Sequence, residues 1–279
     1  MNVEDAADYG AAAADIYAAF HALPNASTAA DNWNVMQALG QALQTRSGAR
    51  VVDLGCGAGW RTREIAAIPG VTFAFGVDHS PEQLARAAAG PATCRFALGD
   101  LIALGKGAAD WAEGNTEVEG LLGTFDVALM AFVTSHAATQ DDFDAMMRAA
   151  AAFLVPGGEV IVVDAHPRIT RAPFPVSARY GLVKEFLLPA GHTGDVPPFT
   201  KIRTTFVTPT GELSVEDYFH DVRSWQAAVD AAGLSGLAIE DFSAPPGFAP
   251  GFWDPYITPE HPSGCAQGAV IRAVKSPAR

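Results

Sequence analysis

Basic residues are scarce in this chain. Eighteen Lys and Arg stand against 31 Asp and Glu, a formal charge of -13, which repels a phosphate backbone and withholds the clustered cations on which nucleic-acid binding depends. DNA and RNA are therefore not expected as partners. Cysteine is rarer still, with only Cys56, Cys94 and Cys265. That odd number, without Cys-x-x-Cys or Cys/His ligand spacing, argues against a disulfide framework and a structural zinc site and fits reduced cytosolic thiols. No run of about 18 apolar residues occurs, so no helix is expected to span a bilayer. Met1 to Asp8 carries acids where a secretory signal carries Lys or Arg, and no apolar segment with a cleavage site follows. The expectation is a cytoplasmic protein with no metal, no membrane and no nucleic acid. A small molecule is its expected partner, and a homodimer is left open.

What the chain does contain is apolar residues, 49% of its 279, enough for one large α/β domain with an elaboration. Short apolar runs at Arg50 to Leu54, Val71 to Val77, Cys94 to Leu98, Phe125 to Phe132 and Glu159 to Asp164 read as buried strands. Helical patterns at Trp60 to Ala67, Pro81 to Ala89 and Asp141 to Leu154 separate them, and this alternation calls for a parallel sheet covered on both faces. Ser80-Pro81 opens one helix as an N-cap followed by proline. Pro156-Gly157-Gly158 is expected to stop another and turn the chain into the next strand.

Ahead of this core, residues 1–48 read as an N-terminal helical cover, with Tyr9, Ile16, Tyr17 and Phe20 at helical intervals in an Ala-rich stretch. After the core, 49–165, comes an insertion at 166–220. It is rich in Pro, Gly and aromatics up to Thr200 and ends in a hairpin, Lys201 to Thr208 and Glu212 to His220. Residues 221–279 return to the core with a helix and strands at Leu237 to Phe242 and Gln267 to Val274, for seven core strands in all.

The chemistry is concentrated in Asp53-Leu54-Gly55-Cys56-Gly57-Ala58-Gly59. Three alternating glycines follow the first strand, where open α/β sheets bind ligands and where a Cβ would hold a ligand off the backbone. A dinucleotide fingerprint wants its third glycine where this chain has Trp60. Asp53 would repel a pyrophosphate, whereas a carboxylate suits the cationic amino group of S-adenosylmethionine (SAM). Asp78, ending the second strand, can accept both hydrogen bonds of a ribose diol. His79 can cover an adenine, Asp100 can accept from the adenine amino group, and the Leu101 backbone can donate to the ring.

The segments VVDLGCGAGW, GVDHSPEQLARA, GDL at Gly99 to Leu101 and LVPGGEV resemble the successive motifs of class I SAM-dependent methyltransferases. The resemblance spans Val51 to Asp164. It implies a Rossmann-like, doubly wound seven-stranded sheet with a reversed last strand, and SAM as cofactor. Its binding residues would be Asp53, Gly55, Cys56, Gly57, Gly59, Asp78, His79, Asp100, Leu101, Ala131 and Phe132, and Tyr9 and Tyr17 either close over SAM from the N-terminal helix or pack that helix onto the core. Tyr9 and Tyr17 in the pattern Y-x7-Y are similar to the opening of many small-molecule methyltransferases of the ubiquinone/menaquinone type, with Gly10 in place of the usual acid. Arg61-Thr62-Arg63, Asp217-Tyr218-Phe219-His220 and Phe252-Trp253 resemble toxoflavin-synthase-like enzymes, which methylate nitrogen-rich heterocycles.

The reaction implied is methyl transfer to nitrogen, oxygen or carbon of a small aromatic or heterocyclic acceptor. The alternative is a rearrangement, cyclisation or decarboxylation on the same SAM-binding fold. His136, after the fourth strand, is either a general base or a loop histidine bonded to backbone. His220 and Tyr218 at the hairpin end are either catalytic or on a solvated face. His166 is either at the site mouth or in a turn. Phe248, Phe252, Trp253 and Tyr256 either line a ligand pocket or seal the core edge.

Overall fold

The computed structural model describes residues 11–23, 27–87, 91–109, 111–112, 116–171, 178–249, 251–253 and 265–276. Two helices lead in, α1 (Ala11–His21) and α2 (Ser27–Leu43), followed by β1 (Ala49–Leu54), α3 (Trp60–Ala66), β2 (Val71–Asp78), α4 (Pro81–Arg86) and β3 (Cys94–Leu98). The chain continues through α5 (Leu101–Gly105), α6 (Thr116–Glu119), β4 (Phe125–Ala131), α7 (Gln140–Phe153) and β5 (Leu154–Ala165). Three strands follow, β6 (Leu182–Phe186), β7 (Lys201–Thr208) and β8 (Gly211–Tyr218). Then α8 (Val222–Ala231), β9 (Leu234–Asp241) and β10 (Gly268–Lys275) complete the chain.

The main sheet has seven strands in the order β3-β2-β1-β4-β5-β10-β9, with β10 antiparallel to both neighbours. This is the doubly wound sheet with a reversed last strand that the family resemblance implies, and its parallel part is what the alternation of elements calls for. Its central strands are apolar on both faces because helices cover both. One face packs Trp225 and Ala228 of α8 with Phe143 and Met147 of α7. The other packs Val35 and Leu39 of α2 with Ile65 of α3. The chain works outward from β1 to β3 and then crosses back to β4, so a crevice opens beyond the carboxyl ends of β1 and β4. Such reversals of strand order are where open α/β sheets bind ligands.

Ser80 caps α4 as its sequence suggests, accepting from the Gln83 N–H at 3.2 Å with Pro81 behind it. The Pro156-Gly157-Gly158 turn acts differently from expectation. The helix has already ended at Phe153, and β5 begins at once with Leu154 paired to Phe125. The proline and glycines lie inside β5, where the register shifts before Glu159 pairs with Val127. Gly157 at φ 79° supplies the left-handed residue such a bulge needs.

The insertion is a three-stranded antiparallel sheet, β6-β7-β8, rather than a bare hairpin. Its faces alternate. Leu182, Thr204, Phe206, Val215 and Asp217 face inward, while Val183, Glu185, Arg203 and Glu216 are on the other side. Helix α1 lies on this small sheet, with Ala13 against Leu213 and Val215, and Phe20 against Leu182. The Asp15–Arg86 ion pair at 2.8 Å ties α1 to α4. Among the described residues no helix is long and apolar enough to cross a membrane.

Candidate active site

Three adjoining cavities run along the carboxyl ends of β1, β2 and β4, and Gly55 borders all of them. The loop after β1 turns through three left-handed glycines, Gly55 at φ 74°, Gly57 at 53° and Gly59 at 69°. Each has a different reason to be glycine. A Cβ on Gly55 would drive into the Val133 side chain, and one on Gly59 into the Phe96 ring, whereas one on Gly57 would meet no protein atom and would project into the open crevice. The loop is thus shaped by packing on two sides and left bare on the third, which suits close approach of a ligand to backbone.

Asp78 reaches back to hold this loop. One carboxylate oxygen accepts from Gly57 N–H at 2.7 Å and the other from Ser80 N–H at 2.9 Å, and each keeps capacity for a further donor. His79 stands half exposed beside it, with Nδ1 3.8 Å from Asp78. Further along, Gly99, Asp100, Leu101 and Ile102 line the third cavity together with Val77 and His79. Asp100 caps α5, accepting from the Ile102 and Ala103 amides at 2.8 and 3.1 Å through one oxygen and leaving the other free of those contacts.

Two of the sequence-selected cofactor residues, Asp53 and Cys56, are buried. Asp53 is buried beneath the glycine loop and borders none of the three cavities. Its carboxylate accepts from Thr62 Oγ1 at 2.7 Å. Burial pushes its pKa up, while Arg61 and the Thr62 hydroxyl oppose the rise. Its task is to pin the start of α3 under the loop. Cys56 borders the second cavity, but its thiol is packed among Asp53, Asp78 and Gly76, and burial pushes its pKa up. Tyr9 and Tyr256 lie outside the described residues.

The first cavity brings the core and the inserted sheet together. Ala131, Phe132, Val133, Ser135 and His136 come from the end of β4, and Lys184, Thr204, Phe206, Val215 and Asp217 from the small sheet. Phe132 holds a left-handed backbone, φ 60°, rare for an aromatic residue and the kind of local strain that clusters at functional sites. Its amide nonetheless donates to Val163 at 2.8 Å. The following turn, Thr134–His136, is anchored by buried Asp164, which accepts from the Thr134 hydroxyl and from the Ser135 N–H.

His136 borders both the first and third cavities. His220 does not reach them. It is buried behind the turn, with Nε2 2.9 Å from the Ala137 carbonyl and its ring stacked on Phe143 at 4.3 Å, and burial lowers its pKa. Tyr218 alternates with Asp217 on β8 and so stands on the face away from the cavity. His166 is fully buried, its Nδ1 accepting from Arg168 N–H and its Nε2 3.0 Å from Asp241. Phe248, Phe252 and Trp253 pack with Tyr180 against the core, the sealing role of the two considered.

Further residues of the site come from the helices α1, α2 and α3. Arg61 borders the first two cavities, its guanidinium 4.6 Å from the Trp60 ring centroid, and among the described residues its buried Nε has no hydrogen-bond partner. Asp31 is buried across from it on α2. Tyr17 and His21 form the α1 wall. Burial pushes the Tyr17 phenol up to about 12, and burial with the nearby Arg61 lowers His21 to about 3.

Residues 51–158 match the family model described as a methyltransferase domain. Over most of its length the chain is similar in fold to methyltransferases of known structure. DesVI of Streptomyces venezuelae is 18% identical, covering 94% of this chain and 98% of its own, with a TM-score of 0.55. A SAM-bound amino pentose methyltransferase of Micromonospora echinaspora, involved in calicheamicin biosynthesis, is also 18% identical, covering 99% and 100%, TM-score 0.53. A SAM-dependent methyltransferase of Mesorhizobium loti is 20% identical, covering 88% and 98%, TM-score 0.51. No curated protein matches the chain.

Proposed function

We propose that this protein is a SAM-dependent methyltransferase that methylates a small, largely apolar acceptor held between the end of β4 and the inserted sheet. The observation that carries the reading is the continuous crevice from the Gly99–Ile102 wall, past the Asp78 carboxylate, over the bare Gly57 backbone and on to Arg61. An apolar wall for a flat base, a carboxylate for a diol, a glycine floor for a sulfonium and a cation for a carboxylate match the successive parts of SAM. Asp78, the Leu101 backbone, Gly55, Gly57 and Arg61 would hold it.

SAM supplies a methyl group already activated as a sulfonium. The chain's contribution is then to set the acceptor's nucleophile in line, and such positioning supplies about 7–11 kcal/mol. Phe132, Leu182, Phe206 and Val215 give the acceptor apolar walls, which supports an aromatic or heterocyclic ring. His136, at the junction of the acceptor and cofactor cavities, is placed to take the proton of a protic nucleophile.

Calorimetric titration with S-adenosylhomocysteine tests the cofactor half. The wild type binds, and Asp78→Asn weakens binding about 10–100-fold, the 1.5–3 kcal/mol of a charge-assisted hydrogen bond. Mass-spectrometric assay of SAM with phenols, nitrogen heterocycles and amino sugars tests the acceptor half. Failure of the wild type to bind the homocysteine product overturns the proposal.

A further inference from the structure

Asp217 is a buried carboxylate to which the sequence motifs assign no task and which stands apart from the glycine loop. It lies on the cavity face of β8, accepts a hydrogen bond from the Thr204 hydroxyl on the neighbouring strand, and borders the same cavity as His136. Its other oxygen, Oδ1, is 3.7 Å from His136 Nδ1. That nitrogen is itself buried and has no hydrogen-bond partner among the described residues. A buried ring nitrogen facing a buried carboxylate oxygen about half an ångström beyond hydrogen-bond length is the arrangement of a base and its orienting acid. Such bonds commonly shorten when the acceptor is in place.

We infer that Asp217 is a positioning residue that fixes His136 as its Nδ1–H tautomer, so that Nε2 presents a lone pair to the acceptor. This rests on the reading of the site as a methyltransferase and narrows it. The acceptor's nucleophile is an O–H or N–H group, because a carboxylate-oriented imidazole serves a nucleophile that must lose a proton. As the nucleophile's electron pair forms its bond to the methyl carbon, the carbon–sulfur pair stays on sulfur and neutralises it. The nucleophile's proton passes to Nε2 of His136, and the resulting imidazolium is stabilised by Asp217. The base thus has two origins, with the imidazole on the turn after β4, held by Asp164, and the carboxylate on the inserted sheet.

Thr204 makes the idea testable in a specific way. In Asp217→Asn the amide oxygen takes over the Thr204 hydrogen bond, which leaves the amide NH2 facing His136 Nδ1. That nitrogen must then accept, and the proton moves to Nε2. Long-range proton–nitrogen correlation spectra of the full chain at neutral pH are expected to show His136 as the Nδ1–H tautomer in the wild type and as the Nε2–H tautomer in Asp217→Asn, with His136→Ala supplying the assignment. With an acceptor from the panel, Asp217→Asn should lower kcat at least about 10-fold, a part of the 10²–10⁴-fold that a general base supplies. KM and affinity for S-adenosylhomocysteine should stay nearly unchanged.

An Nε2–H tautomer in the wild type overturns the inference without any variant having to fold. So does an unchanged kcat in Asp217→Asn. Homocysteine-product binding does not depend on this tautomer, so loss of the cofactor reading and loss of this one are separate results.

Discussion

The main sheet and the inserted sheet solve the problem of presenting chemistry in opposite ways. In the main sheet the strands are buried on both faces, their side chains are spent on the core, and the ligand-facing groups are largely backbone. Gly55 and Gly57 present main chain, and Asp78 is itself held by two main-chain amides. In the inserted sheet one face is solvated and the other is a row of side chains, Thr204, Phe206, Val215 and Asp217, aimed into the cavity. A backbone site cannot be retuned without breaking the fold, whereas a side-chain row can be replaced residue by residue. The difference teaches which half of the molecule is committed to one cofactor and which is free to define an acceptor.

Gly55→Ala is the sharpest way to break the main-sheet half. The added methyl meets Val133 and the residue must keep φ 74°, so the substitution is expected to cost about 2–5 kcal/mol from left-handed strain and overpacking together. Chemical denaturation measures it, and a variant as stable as the wild type would show that the loop is not held as described.

The helical wall between the halves should respond to acid. His21 is lowered from 6.5 to about 3 in the folded protein, so between those values the unfolded chain binds the extra proton. Stability is therefore full above about 6.5 and is lost as pH falls toward 3. The loss is at most roughly 1.4 kcal/mol for each unit. Comparing denaturation midpoints at pH 7 and pH 5, wild type should lose stability relative to His21→Phe. Equal losses would mean that the His21 imidazole is not buried in the α1 wall.

The smallest effect is expected at Tyr218, one residue from Asp217 but on the opposite face of β8. Tyr218→Phe should change stability by less than about 0.5 kcal/mol and leave methyl transfer nearly as it was. A large loss of rate would reverse the assignment of faces on the inserted sheet.

The same contrast explains what could be read from the sequence. The main sheet announced itself because strands covered on both faces appear as unbroken apolar runs such as Phe125 to Phe132, and because left-handed turns leave few choices besides glycine. The positions of Asp78, Asp100, His136 and the Gly55–Gly59 loop at the carboxyl ends of the strands were legible for that reason. Strand β6 was not, because five residues with Lys184 and Glu185 among them carry too weak an alternation. Asp217 and Tyr218 show the limit clearly. Both sit in one short motif, and only the register of Ile202 opposite Asp217 decides which of them faces the cavity. Asp53 misled for a related reason, since its place at the strand end does not reveal that Thr62, nine positions on, draws its carboxylate beneath the loop.

Helix α1 supplies Tyr17 and His21 to the cofactor and acceptor cavities alike. It packs on the inserted sheet and is tied to α4 by Asp15 and Arg86. One wall therefore serves two compartments. A substitution that shifts this helix would therefore be felt on both sides at once, and the affinities of the two compartments would change together rather than one by one.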